Sequence, residues 1–362
     1  MKVFSIICFV IFISMSSHAQ TNYTWTGTHS NNWNDSLNWT PKGIPTTTDN
    51  ISNNQATTTS AYIILDQNRT VNSCNIQNAY LDLKGYTLTI NDSSSFNTVK
   101  TTPGSLNFAG NLNLNIFKTS ANINAVCSSI IIINSQFDST VYMQKTGNSA
   151  SDTWASNIFS QTVTLIQNSP NNTWYLGGGN IGDIYQQDVT FNVQQGALYV
   201  SKGYSAFFRG NVNLVSTGGG ITIGDSITTS SMPIIISSGK SIVANNFSSG
   251  KLILNNISQE GTASNSFQFT GTANLSINQC NFGGDVTINT TGTDTSNAAV
   301  QVSNSMFNQS TTIIAALANL TRNYFNASNS TASETKIIQV ALGNLNELQV
   351  ANTIVGNLIT KQ

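Results

Sequence analysis

Cleaving a glycosidic bond takes two carboxylates set across it, and the nearest approach to such a pair here is Asp183 with Asp188, then Asp285 with Asp294. Lysis of a uronate takes a base together with cations that hold the substrate acid, yet the three arginines, Arg69, Arg209 and Arg322, are scattered. Asp188 and Arg209 are separated by roughly one period of a stacked repeat, so a coil of that length would bring them together as a solvated surface pair. Nothing else converges on them. The chain carries no Gly-x-Ser-x-Gly nucleophile turn, no dinucleotide fingerprint and no paired metal ligands, and His29 is the single histidine beyond the apolar leader. No catalytic, cofactor or metal residue is therefore assigned, and the chain reads as a non-enzyme with polysaccharide cleavage as the rival.

The other side chains with binding chemistry are Trp25, Trp33, Trp39, Trp154 and Trp174, whose faces are candidate carbohydrate-stacking surfaces. That reading predicts at least two of the rings exposed and coplanar along one face. Three fall close together, in Trp25-Thr26-Gly27, Asn32-Trp33-Asn34 and Asn38-Trp39-Thr40, followed by Pro41, Pro45 and Asp49. Large flat rings bury much area, and a stacked repeat needs an atypical end unit. Residues 20–50 thus read as a Trp-rich N-terminal cap, with a sugar platform as the alternative.

Two glycine clusters, Gly177-Gly178-Gly179-Asn180-Ile181-Gly182-Asp183 and Gly218-Gly219-Gly220-Ile221-Thr222-Ile223-Gly224-Asp225, resemble each other. Neither matches the tandem calcium-binding nonapeptide, and neither has the basic residue and helix of a phosphate loop. They read as turn glycines supplying positive φ.

These residues must be positioned by a recurring unit, in which an aromatic enters a turn of small polar residues and a short alternating strand leaves it. It is clearest at Cys280-Asn281-Phe282-Gly283-Gly284-Asp285-Val286-Thr287-Ile288 and returns around Phe137, Phe159, Phe208 and Phe307. Phe282 is expected inside, Gly283-Gly284 at the corner and Thr287 outside; Asp285 takes the place of Thr140, Thr162 and Asn211, a solvated turn position. From Phe137 through Phe159, Tyr185 and Phe208, and again from Phe282 to Phe307, the step stays at roughly 24 residues, a period that signals stacked architectures. Strand-like runs at Ala61–Leu65, Tyr80–Leu83, Thr87–Ile90, Leu112–Phe117 and Ile130–Ile133 share the pattern, and helical periodicity is nearly absent.

A step of roughly 24 residues is too short for a propeller blade of about 40 to 50. A sandwich has no reason to repeat one unit, and the leucine framework of leucine-rich repeats is missing. The predicted fold is all-β: a single-stranded parallel β-helix, or β-solenoid, over 51–362, with about twelve coils stacked at ~4.8 Å. The two glycine clusters would then lie about two coils apart. Charged residues are 8% of the chain against about 25% in ordinary domains, while hydrophobic residues are 39%. Stacking explains this imbalance, because charges repeated coil on coil form like-sign columns that repel, whereas stacked amides bond to one another.

Lys2, the apolar run Val3 to Met15 and Ser17-His18-Ala19 before Gln20 read as a signal peptide over 1–19, cleaved on export. No other run is long and apolar enough to span a membrane. The remaining Cys74, Cys127 and Cys280 are odd in number and widely spaced; they read as buried small hydrophobes, one bridged pair being the alternative. A formal charge of -1 without a basic cluster excludes a nucleic-acid footprint. The Leu- and Val-rich end, Thr335 to Gln362, reads either as last coils or as a short covering helix. No polar cap follows Ile359, so either the closing element is not recognisable or the chain is a truncated copy of a longer protein.

Ser17-His18-Ala19-Gln20, the opening Trp25-x-Gly27 with Trp33 and Asn38-Trp39, and the units at Phe208 and Phe282 together resemble repeat-rich secreted surface proteins of gliding and related Gram-negative bacteria. Many of those are exported by type IX secretion. The resemblance implies an adhesin-like or scaffold protein, although the C-terminal sorting domain usual in that group is not recognisable before Gln362. The expected partners are surface polysaccharide or other cell-surface components, and the chain is expected to be a monomer.

Overall fold

Alternation sets the strands. In Val163-Thr164-Leu165 and Val189-Thr190-Phe191 the apolar side chains are buried and the threonines half-buried on the outside, as the alternating period of a strand dictates. Val163–Leu176 pairs in parallel with Val189–Val200, placing Val163 beside Val189 and Leu165 beside Phe191. Each coil thereby lays like residues on those of its neighbour.

A computed structural model describes residues 19–361 except 54–60, 150–152, 178–181, 226–232, 291–299, 316–322, 329–330, 340–345, 352–353 and 356–357, with side chains described as far as Thr312. The expected signal peptide, most of the first glycine cluster, Asp294 and Arg322 lie outside these residues. Every coil gives one strand to each of three parallel sheets, in the order first, second, third. The third sheet runs through fourteen strands among the described residues, from Arg69–Val71 to Leu358–Lys361. At ~4.8 Å per coil this is a rod of roughly 65 Å. The chain is an all-β parallel β-helix.

The aromatic units form an internal column. Phe137, Phe159, Tyr185 and Phe208 are all buried and stack at 5.0, 5.1 and 5.0 Å with planes within 6–9°. Phe282 and Phe307 stack at 5.6 Å, and buried Ile236 and Gln259 fill the two intervening coils. Phe282 points in, Thr287 out, and Asp285 is exposed, its carboxylate accepting from Ser310 N on the next coil.

The earlier coils are shorter than the aromatic step suggests. Leu88, Leu106, Ile123 and Val141 are successive rungs of the third sheet. Bonds between neighbouring coils here join Asn107 to Thr89 and Thr140 to Asn122, each pair separated by 18 residues. The second-sheet rungs of these coils are Leu81, Thr101 and Thr119, so no aromatic marks them, and the estimate of twelve coils falls short of fourteen.

At the start of the rod, Asn22–Trp25 runs parallel to Asn50–Asn53, and Trp39–Thr40 folds back antiparallel against it. Asn38 holds this loop, its Oδ1 accepting from His29 N and Ser30 N. Trp33 N donates to Ile64 O, which sets Trp33 beside the second sheet. The end of the chain continues as strands, Thr331–Gln339, Asn346–Ala351, Ile354–Val355 and Leu358–Lys361, which decides for last coils over a covering helix. Cys74, Cys127 and Cys280 are free and buried; burial pushes the Cys127 and Cys280 thiols up to about 12.

Candidate functional site

The corner between the first and second sheets comes in two forms. In eight coils among the described residues it turns on one left-handed residue: Asn78, Thr98, Ile116, Asn134, Ser156, Asn256, Gln279 and Asn304, with φ of 46 to 57°. The side chain just after it often points inward and bonds to a neighbouring coil. Ser135 Oγ accepts from Phe117 N and Asn157 Oδ1 from Ser135 N; Asp183, which follows no left-handed residue, continues the series, its Oδ1 accepting from Asn157 N at 2.8 Å. Near the other end Ser305 Oγ accepts from Cys280 N.

Three consecutive coils take more residues across this corner, leaving the first sheet at Gly177, Ser201 and Gly224 and entering the second at Ile184, Phe207 and Ile234; the middle crossing, a loop over 201–206, is described throughout. Gly177 and Gly224 both have φ of +81°, which accounts for one glycine in each cluster. Gly218 and Gly219 have no such φ; a Cβ there would run into the carbonyls of Gln194 and Gly196 in the adjacent coil. Close stacking, and not turn geometry, requires them.

Tyr175 and Tyr199 stand at the mouths of the first two loops, on the outer face of the first sheet and in register across adjacent coils. Their rings lie 5.8 Å apart and are inclined by 35°, and Lys202 Nζ sits 4.1 Å from the centroid of Tyr175. Tyr175 and Tyr204 are 42% and 43% exposed. Partial burial, and then the nearby Asp225 that accepts from its hydroxyl, push Tyr199 up to about 12, so it stays a neutral donor. Several coils away on the same face is a shallow depression of about 270 Å³, lined by Ser95, Asn97, Asn113 and Asn115 and, on the next coil of the same outward columns, by Ile131 and Ile133. Apolar rings and donor–acceptor amides on a rigid outer face are the surfaces onto which a sugar's C–H faces and hydroxyls pack.

The tryptophans do not take part. All five are at most 3% exposed: Trp25 and Trp33 pack edge-on to Trp39 at 4.9 and 5.0 Å, and Trp154 meets Trp174 at 5.6 Å. The exposed coplanar platform expected of them is absent, because each occupies the inward phase of its strand or loop. Tyr175 is the outward neighbour of Trp174, and the repeat of Trp174-Tyr175-Leu176 as Leu198-Tyr199-Val200, one coil further on, carried the signal.

The paired carboxylates separate too. Asp183 is buried, with Trp154 Nε1 donating to Oδ2 at 2.7 Å; burial raises it to about 7 in spite of the opposing bonds from Asn157 and Trp154. Asp188 lies half-buried at the next corner, accepting from Asn211 N. Arg209 reaches Gln186 Oε1 at 2.9 Å instead of Asp188. Among the described residues no three His, Cys, Asp or Glu side chains converge, and no helix is long and apolar enough to cross a membrane.

Fold and face together define a parallel β-helix with a loop-bearing aromatic strip on one sheet. Compared with protein families, curated proteins and solved structures, the chain matches none.

Proposed function

We propose that the protein is a non-enzymatic β-helix of the cell exterior, secreted or held at the cell surface, working as an adhesin-like attachment rod and spacer. Attachment is to surface polysaccharide along the outer face of the first sheet. The observation that supports this most is the position of Tyr175 and Tyr199 at the mouths of adjacent opened corners. Loops carried on a rigid scaffold are where binding residues concentrate. The apolar leader supports export, and residues 20–50 are read as the element covering the first coil.

The test is affinity electrophoresis of the purified protein in gels containing neutral polysaccharides, beside the double variant Tyr175→Ala/Tyr199→Ala. At least one polysaccharide should retard the wild type, and the variant should migrate freely with its β-sheet circular dichroism unchanged. A variant retarded like the wild type would remove the site. Release of reducing ends or unsaturated products from any polysaccharide would remove the non-enzymatic reading.

A further inference from the structure

The outer face of the second sheet carries a column in a different chemical key. Tyr62, Tyr80, Lys100 and Lys118 occupy the same outward position on four successive coils. The two rings lie 5.1 Å apart and are inclined by 31°, each more than a third exposed. Tyr62 Oη donates to Asp82 Oδ2 at 3.3 Å, and Lys84 Nζ is 3.3 Å from the same oxygen. The other oxygen, Asp82 Oδ1, accepts from Thr102 Oγ1 at 2.8 Å. Asp82 is thus committed to its own surroundings.

Lys100 and Lys118 are exposed, and among the described residues neither forms an ion pair. They are stacked at a coil step of ~4.8 Å, where like charges facing each other destabilise a sheet. The chain has only 14 lysines and arginines, and among the described strand registers no other two like charges face each other. An anion bridging the two ammonium groups turns this repulsion into attraction. The occupant that also uses the two rings is an extended chain of sugar rings that carry acidic groups. Charge selects the acid, and the adjoining tyrosines select sugar over a bare phosphate surface.

We propose that the column Tyr62–Tyr80–Lys100–Lys118 binds an acidic polysaccharide laid along the rod axis, its rings against the tyrosines and an acidic group held between the two lysines. This site shares no residue with the Tyr175–Tyr199 strip and stands or falls without it.

Polygalacturonate is the probe, with dextran as the neutral comparison and phosphatidylglycerol vesicles as the anionic surface. Binding of the purified protein is followed by titration calorimetry at low and at moderate salt. Wild type should bind polygalacturonate and not dextran at this column, and added salt should weaken it through screening. Lys100→Gln/Lys118→Gln should reduce affinity about tenfold, as expected for two exposed charge contacts, and Tyr62→Ala/Tyr80→Ala should reduce it further. Tyr175→Ala/Tyr199→Ala should leave it unchanged. All these positions are on the outside, and circular dichroism confirms the fold of each variant. Equal binding by the lysine variant, no binding by the wild type, or preference for the vesicles overturns the proposal.

Discussion

The tight and the opened corners join the same two sheets yet serve different ends. A tight corner spends one residue in the left-handed region and ties its coil to the next through a buried acceptor, as at Ser135 and Asn157. An opened corner takes more residues between the two sheets, after Gly177, Ser201 or Gly224, and the second sheet still resumes in register: Tyr185 lies under Phe208, and Phe208 under Ile236. Stacking is therefore indifferent to what is inserted, and a coil can gain a surface loop without disturbing the core. Asp183 marks the boundary, being the last acceptor of the tight ladder and the first residue back from an opened loop.

That boundary gives the largest expected effect. Asp183 is raised to about 7 in the folded protein, against about 3.9 in an unfolded chain. Between those values the folded state holds a proton that the unfolded state has released, so the stability that Asp183 contributes is greatest below about pH 4 and is lost as the pH rises to about 7. The full swing is about 4 kcal/mol as an upper value. Hydrogen exchange of the coils around 154–185 should show it, and Asp183→Asn should flatten the profile; a flat wild-type profile would show the corner to be solvated.

Within the tight form, Asn157→Ala strands the Ser135 N–H inside the core and removes a side-chain bond to the Ile132 carbonyl. One buried donor left without a partner costs about 2 kcal/mol, read as faster exchange at 132–159. A cost below that of an exposed substitution would mean the acceptor ladder is decoration.

The smallest effect has the opposite sign. Ile116 is β-branched at φ 50° and half exposed, a conformation costing L-residues about 1–2 kcal/mol. Ile116→Asn should raise stability by about 1 kcal/mol in urea denaturation; a loss would show that its side chain holds the corner in a way its exposure does not suggest.

Much of the fold is legible in the sequence, because inward aromatics recurring at a near-constant step can only stack if the coils do. Asn columns were legible for the same reason: Asn50 Nδ2 donates to Asn22 Oδ1, and Asn115 Nδ2 to Asn97 Oδ1, each pair in register across adjacent coils. The short early coils were hidden by Leu81, Thr101 and Thr119, which fill an aromatic's place without its signature. The left-handed corner was hidden because Asn, Thr, Ile, Ser and Gln all occupy it, the stack supplying what residue type does not. For the site, residue type misled where phase decided. Tryptophan suggested a platform, but Trp174 points in and Tyr175 out. Asp183 and Asp188 look paired by number, but strand Ile184–Tyr185 and the turn after it carry the chain from one corner to the next between them.

The buried thiols have a practical consequence. With Cys74, Cys127 and Cys280 sealed in the core, no described thiol meets solvent, so a cysteine introduced on an outward rung becomes a unique attachment point for a probe. Rungs repeat at ~4.8 Å, so pairs of such positions would turn the rod into a graduated ruler for nanometre distances.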